Sequence, residues 1–237
     1  WSNIRNTIYE RNTDLAVISG HLQNNNVVNG QLGKQIFIIG NEYLHLTNIW
    51  EAPEIDLNFS IAVINFLEDH KFIRAGLGRI HSLKRFNPLN AVLDVANNIL
   101  WIGINSTFNF DDFSELQKVL EKSNVIVRAL EMNSNFDYLT QCLNVIDDKI
   151  LIFEDAFKDH ALYVLSTWYN LINRISVSEE DADKMAINSI LVGDSLIMAN
   201  CSIELEEKLS VKGLSVIRRE VDYLTNFGTK SLVAVYE

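Results

Sequence analysis

Three short polar turns, each set between two apolar runs, constrain this chain more than anything else in it. Asn97-Asn98 separates residues 89–95 from the run Ile99–Ile104. Asp147-Asp148 separates residues 139–146 from 150–153, and Gly193-Asp194 separates 186–192 from 196–198. Asn, Asp and Gly tolerate the positive φ of a tight hairpin turn, so each segment reads as strand, turn, strand. A helical pattern and a further apolar run follow each time. After the first turn, Asp112 with Glu115 reads as a capping-box start, Phe113, Leu116 and Leu120 share a face, and 125–127 is a strand. After the second, Leu162, Leu165, Tyr169 and Ile172 share a face before a strand at 175–177. After the third, Ser202 serves as N-cap, Leu205 and Leu209 share a face, Glu204 pairs with Lys208, Gly213 takes the C′ position and 214–217 is a strand. The turns lie about 50 and then about 46 residues apart, which is a repeat signal.

Each unit is therefore two hairpin strands, a helix and a returning strand, and three such units fill the C-terminal part. The first part is looser. Residues 15–18 and 36–39 read as strands, Pro53 breaks any helix near it, and the apolar run 60–67 fits a strand or a helix start. Two more units fit there. Alternation of strands and helices also suits an open doubly wound sheet, which is the alternative fold.

With 237 residues, 48% of them apolar, and two prolines, a single ordered domain over 1–237 is expected. The chain starts at Trp1 rather than Met, so its N-terminus is expected to be incomplete. A net charge of −11 argues against nucleic acid or an anionic membrane as partner. The one basic cluster, Arg74, Arg79, Lys84 and Arg85, reads as a solvated loop. No run reaches the roughly 18 apolar residues of a membrane span. No Gly-x-Gly-x-x-Gly or Walker-type loop calls for a nucleotide, so no cofactor is expected. Cys142 and Cys201 are far apart in sequence, and neither they nor His21, His45, His70, His81 and His160 have partners at ligand spacing. No metal is expected, and a reduced, cytoplasmic setting follows.

The last 52 residues carry a resemblance. They read Asn188, apolar strand, turn, Leu196-Ile197-Met198, helix, Gly213, Val216 and then Gly228. This is similar to the final module of the guanidino-group-modifying enzymes of pentein fold: amidinotransferases, arginine deiminases and dimethylarginine hydrolases. That module reads Ala-x-Asn, strand, turn, Val-Ile-Met-Pro, helix, Gly-x-x-Val, an acidic residue, and Gly-Gly-x-x-x-Cys. The resemblance implies a propeller of five ββαβ modules around a central channel. It also implies a thiolate that attacks the guanidinium carbon, a histidine that moves protons, and carboxylates that hold the cation.

The matching positions depart from those types. Four residues after Gly228 stands Leu232, in the place of the cysteine. The family's His-Leu-Asp/Lys-Ser/Thr motif aligns with Tyr138-Leu139-Thr140-Gln141, which puts Tyr138 in the histidine's place and Thr140 where an acid often stands. The Glu-Gly-Gly-Asp motif aligns with residues 90–94, keeping one acid, Asp94. The Ser-x-Arg-Thr signature becomes Asn105-Ser106-Thr107-Phe108. Glu220 and Asp222 are candidates to line the cleft with Asp94. The run Glu179-Glu180-Asp181-Asp183 stands where an acidic loop is common, or is a solvated turn.

The expectation is a catalytically degenerate domain that works as a binding or assembly module, with another protein, a second copy of itself or an arginine-like small molecule as partner. The alternative is a working guanidino-modifying enzyme with a displaced nucleophile, for which Cys201 is the fallback and Cys142, read as a buried strand residue, the second choice. Tyr138 and Leu232 are expected to be buried, with the Tyr138 hydroxyl hydrogen-bonded.

Overall fold

Four three-stranded sheets share one pairing pattern: the first strand runs antiparallel to the second, and the second runs parallel to the third. The structure is a computed structural model and describes residues 36–39, 42–45, 64–65, 67–71, 73–74, 85–123, 125–133 and 135–218. The first sheet holds β1 (Ile36–Ile39), β2 (Glu42–His45) and β3 (Ile73–Arg74), with helical residues at 64–65 and 67–69 between β2 and β3. The second holds β4 (Ala91–Asp94), β5 (Ile99–Ile104) and β6 (Ile126–Glu131), with helix α1 (Phe110–Val119) crossing from β5 to β6.

A four-residue helix, α2 (Leu139–Cys142), leads into the third sheet: β7 (Leu143–Ile146), β8 (Lys149–Ile152) and β9 (Arg174–Ser176), crossed by α3 (Asp159–Trp168). A short helix, α4 (Glu179–Asp183), precedes the fourth: β10 (Ile190–Val192), β11 (Ser195–Met198) and β12 (Ser215–Arg218), crossed by α5 (Ile203–Val211). The strands expected to lie at equivalent places, β5, β8 and β11, are each the middle strand of a separate sheet. One open parallel sheet, the alternative expected from sequence, is thereby excluded.

The hairpin turns form as the sequence implies. Asn98 (φ 55°), Asp147 (φ 51°) and Gly193 (φ 61°) supply the left-handed residue of the three turns, and Gly213 (φ 78°) ends α5. The middle strands β5, β8 and β11 are buried on both faces, which explains their continuous apolar runs. Along β5 the alternation is used fully. Ile99 and Trp101 join a large core with β7, β8, α3, β11 and α5, whereas Leu100, Ile102 and Ile104 join a smaller one beneath α1. Phe113 and Leu116 of α1, and Leu120 just beyond it, fill that smaller core.

Several local expectations are corrected. Helix α1 begins one turn earlier than the Asp112/Glu115 reading: Asn109 is the N-cap, its side chain takes the Asp111 and Asp112 amides, and Asp112 returns a bond to the Asn109 amide. Residues 139–142 are helix rather than strand, so Cys142 closes a helical turn instead of sitting in a strand. The acidic run at 179–183 is a helix capped by Ser178, not a loop. Strand structure after it starts only at Ile190, behind a turn in which the buried Met185 holds φ 59°. Ile172 leaves the α3 face and is 72% exposed, because Tyr169 ends the helix and a 3-10 turn, Leu171–Asn173, swings the chain outward. Among the described residues no helix is long and apolar enough to cross a membrane.

Candidate functional site

Tyr138 and Thr140, two of the residues aligned with catalytic positions, stand at the start of α2. The Tyr138 amide donates to Gln141 Oε1 at 3.1 Å, and the Leu139 amide donates to Asn90 Oδ1 at 3.2 Å. Asn90 ends a 3-10 turn, Pro88–Asn90, immediately before β4, and is 1% exposed. The floor is Gly103 on β5. A Cβ there would lie 2.6 Å from Met132 Sδ and 3.1 Å from Leu139 Cβ, so any larger residue would require the Met132 side chain and α2 to shift. From the next loop, Asn105 Nδ2 donates to the Asp137 carbonyl at 2.7 Å, and Asn105 Oδ1 takes the Thr107 and Phe108 amides. The segment aligned with the Ser-x-Arg-Thr signature is thus an asparagine-built turn that holds the chain just ahead of Tyr138.

Tyr138 itself is half-buried, not buried as expected, and its contacts run through its backbone, including its carbonyl 3.9 Å from Cys142 Sγ. Thr140 is 4% exposed, and its Oγ1 has no hydrogen-bond partner among the described residues. A buried hydroxyl left unpaired is costly. Asn144, on strand β7, donates its amide N–H to both the carbonyl and the hydroxyl oxygen of Ser189, at 3.1 Å each. Asn90, Thr140, Asn144 and Ser189 are thus buried, neutral polar groups.

Among the described residues the buried acids are Asp94 and Asp181, and both are engaged. Asp94, at the end of β4, is fully buried. Its Oδ2 accepts the Tyr169 hydroxyl and Asn97 Nδ2 (2.8 Å), and its Oδ1 accepts the Asn97 amide (2.9 Å). The Trp101 indole N–H donates to the same Tyr169 oxygen at 3.0 Å. Burial, with the Asp94 carboxylate as its acceptor, pushes the Tyr169 phenol up. Asp94 therefore ties the second sheet to the end of α3. Asp181, on α4, is 2% exposed and takes the Ser202 amide (2.8 Å), the Ser202 hydroxyl (2.7 Å) and the Ser178 hydroxyl (3.0 Å).

Both cysteines are free. Burial pushes the Cys142 thiol up, with the Asp183 charge adding to it. Cys201 is half-buried, its Sγ 3.3 Å from the Ser202 carbonyl, and burial followed by the Asp181 charge pushes its thiol up to about 12. An attacking thiolate needs the opposite setting, near cations or a free helix N-terminus. At the head of α5, the place that would stabilise a Cys201 thiolate is taken by Asp181.

The structure thus brings Tyr138 and Thr140 together and sets Asp94 and Cys201 apart from them in other networks. Leu232, Glu220 and Asp222 lie outside the described residues. Sequence reasoning passed over Asn90, the Asn144–Ser189 pair and the Asp181 tie. Only the last had a signal, the Ser178-x-x-Asp181 spacing of a helix start. Among the described residues no group of three or more His, Cys, Asp or Glu is placed to hold a metal ion.

No protein-family model matches the chain, and no curated protein matches it in sequence. Solved structures match it closely in shape. The N-terminal domain of ArgZ, an arginine dihydrolase from the ornithine-ammonia cycle in cyanobacteria, was solved bound to substrate. It superposes with a TM-score of 0.75 at 21% identity over 100% of this chain and 85% of that one. AgrE in ternary complex with ornithine and NAD+ gives 0.77 at 18% identity, over 98% of this chain and 33% of AgrE. A dimethylarginine dimethylaminohydrolase adduct with S-methyl-L-thiocitrulline gives 0.70 at 14% identity, over 98% and 84%. The fold of this chain is the pentein fold of these guanidino-group-modifying enzymes.

Proposed function

We propose that this chain is a non-catalytic pentein domain, a binding or assembly module in which the fold persists without the chemistry. Residues 1–237 form one domain on this reading, with five sheets of the shared pattern set in a ring. Four of them are β1–β3, β4–β6, β7–β9 and β10–β12. Packing of β4 against β7, and of α2 against both β4 and α4, supports side-by-side placement of successive units around a common centre.

The observation that carries the reading is the state of the thiols. The chain has two cysteines, and burial pushes the thiols of both up. Attack on a guanidinium carbon needs a thiolate at neutral pH, because a neutral thiol is a poor nucleophile toward an electron-rich carbon. On the resemblance, Tyr138, Thr140 and Leu232 stand at the places of base, acid and nucleophile, and none of the three side chains supplies that chemistry. Asp94, Glu220 and Asp222 are the acids left to face a ligand, and Asp94 is occupied within the protein. An arginine-like small molecule, another protein or a second copy are the partners this reading admits, in a reducing compartment such as the cytoplasm.

A haloacetamidine label with peptide mapping tests it against the displaced-nucleophile alternative. Cys201 and Cys142 should react more slowly at neutral pH than the same peptides in urea, and Cys201 should speed up only as the pH climbs toward about 12. Preferential labelling of Cys201 in the folded protein at pH 7 would favour the enzyme.

A further inference from the structure

Resting on the assembly reading, we infer that the hairpin-turn end of the second, third and fourth sheets is a docking face for a second copy of this chain. Strand pairing builds this end. In each of these sheets the third strand runs parallel to the middle one, so it starts beside the hairpin turn, and the crossing helix ends there too. The Ile126 amide donates to the Asn98 carbonyl (2.9 Å), Asn173 Nδ2 to Asp148 Oδ2 (3.4 Å) and the Ser215 amide to the Asp194 carbonyl (2.9 Å). Neighbouring units meet at the same end. Helix α3 starts by the end of β6, where the Lys158 amide donates to the Glu131 carbonyl (3.1 Å), and just beyond its last residue the Tyr169 hydroxyl donates to Asp94. Lys212, just after α5, donates through Nζ to the Ile172 carbonyl.

Along this line stand six apolar side chains, Val95, Ile126, Trp168, Leu171, Ile172 and Val211, exposed by between 38% at Trp168 and 85% at Val211. Side chains of this size and exposure present on the order of 600 Å² to solvent, against about 800 Å² that each partner of a standard interface contributes. Trp168 packs edge-on against Trp101, with ring centroids 6.3 Å apart, and so offers a held aromatic anchor. Charge decides for a second copy as the occupant. The chain carries −11, so two copies repel wherever acidic surfaces meet. Beside these six residues, by contrast, Arg174 donates to the Tyr169 carbonyl, Lys212 to the Ile172 carbonyl, and Lys149 pairs with Asp148. Contact here holds the acidic remainder of the two copies apart, where salt screens it within about 10 Å. A two-fold contact sets the patch against itself, which an apolar patch satisfies, and brings Asp148 of each copy towards lysines of the other. Asn90 and α2 stand at the opposite ends of β4 and β7, so the contact leaves them free.

Sedimentation velocity on the full chain, between about 1 and about 100 μM, tests this, since interfaces of standard size reach micromolar affinity or better. The parent is expected to dimerise within that range. Leu171→Glu and Val211→Glu place charge at exposed positions, should each weaken the dimer at least about ten-fold, and together should leave a monomer. Circular dichroism of each variant separates a lost contact from a lost fold, and Leu171→Ser, which only removes apolar area, serves if a glutamate disturbs the chain. Phe110→Glu, at the exposed start of α1 and away from this line, should leave the dimer unchanged. A parent that stays monomeric throughout, as it would if another protein or another part of the chain covers the face, would overturn the inference. So would a dimer that survives Leu171→Glu with Val211→Glu, or one that Phe110→Glu weakens equally. Product release from L-arginine would instead overturn the non-catalytic reading and leave the dimer standing.

Discussion

Asp94 shows how far a residue's role can depart from what its neighbours in sequence imply. Read along the chain, it is the surviving acid of a motif that holds a cation. In the fold it is the fully buried acceptor of a Tyr169 hydroxyl that itself takes the Trp101 indole N–H. Contacts between residues 68 and 75 positions apart leave no mark in local sequence, so this network could not be read in advance. Thr140 was legible as a departure from the acid expected there, but its unpartnered hydroxyl was not, because pairing is decided by the surroundings. The network makes a prediction of its own. Tyr169→Phe removes one hydroxyl and strands both the Trp101 N–H and one lone pair of Asp94. It should cost about 1–3 kcal/mol in urea denaturation. A variant as stable as the parent would mean that Asp94 is satisfied without Tyr169.

Elements were far more legible than roles. Tight turns at Asn98, Asp147 and Gly193 need left-handed φ, which few residue types accept, so the sequence marks them sharply. The strands beside them are apolar on both faces and hard to mistake. Where the sequence misled, the element was short or its signal shared. The four residues of α2 are apolar enough to extend the β7 pattern backward, and only their tertiary contacts with Asn90 and Gly103 decide for a helical turn. At α1, two capping boxes overlapped: Asp112/Glu115 and Asn109/Asp112 share Asp112, and the structure uses the upstream one. The two are separable by substitution. Asn109→Ala should destabilise by about 1 kcal/mol through two orphaned amides, while Glu115→Ala, which loses only a surface pair with Lys118, should stay within about 0.5 kcal/mol. Denaturant midpoints of the two variants give the comparison directly. Equal losses would return the helix start to Asp112.

At the scale of the whole molecule, one ββαβ pattern is used at least four times, and the recurrence of turns read from sequence corresponds to three of those sheets. The fourth, in the looser first part, carried as signals only the 36–39 strand and the apolar run 60–67, part of which is helical. The same shape serves an arginine dihydrolase and a dimethylarginine dimethylaminohydrolase, so the fold alone does not choose between enzyme and module. The proposed choice rests on two thiols that burial pushes up and on Tyr138 and Thr140, which the resemblance aligns with the base and the acid. The most direct measurement is therefore turnover. The purified full chain is incubated with L-arginine, agmatine and methylated arginines, ammonia and amine products are quantified, and the protein's intact mass is followed for a covalent adduct. The account predicts product formation no faster than in buffer and an unchanged mass; sustained product release, or a mass increase that maps to Cys201 or Cys142, would contradict it.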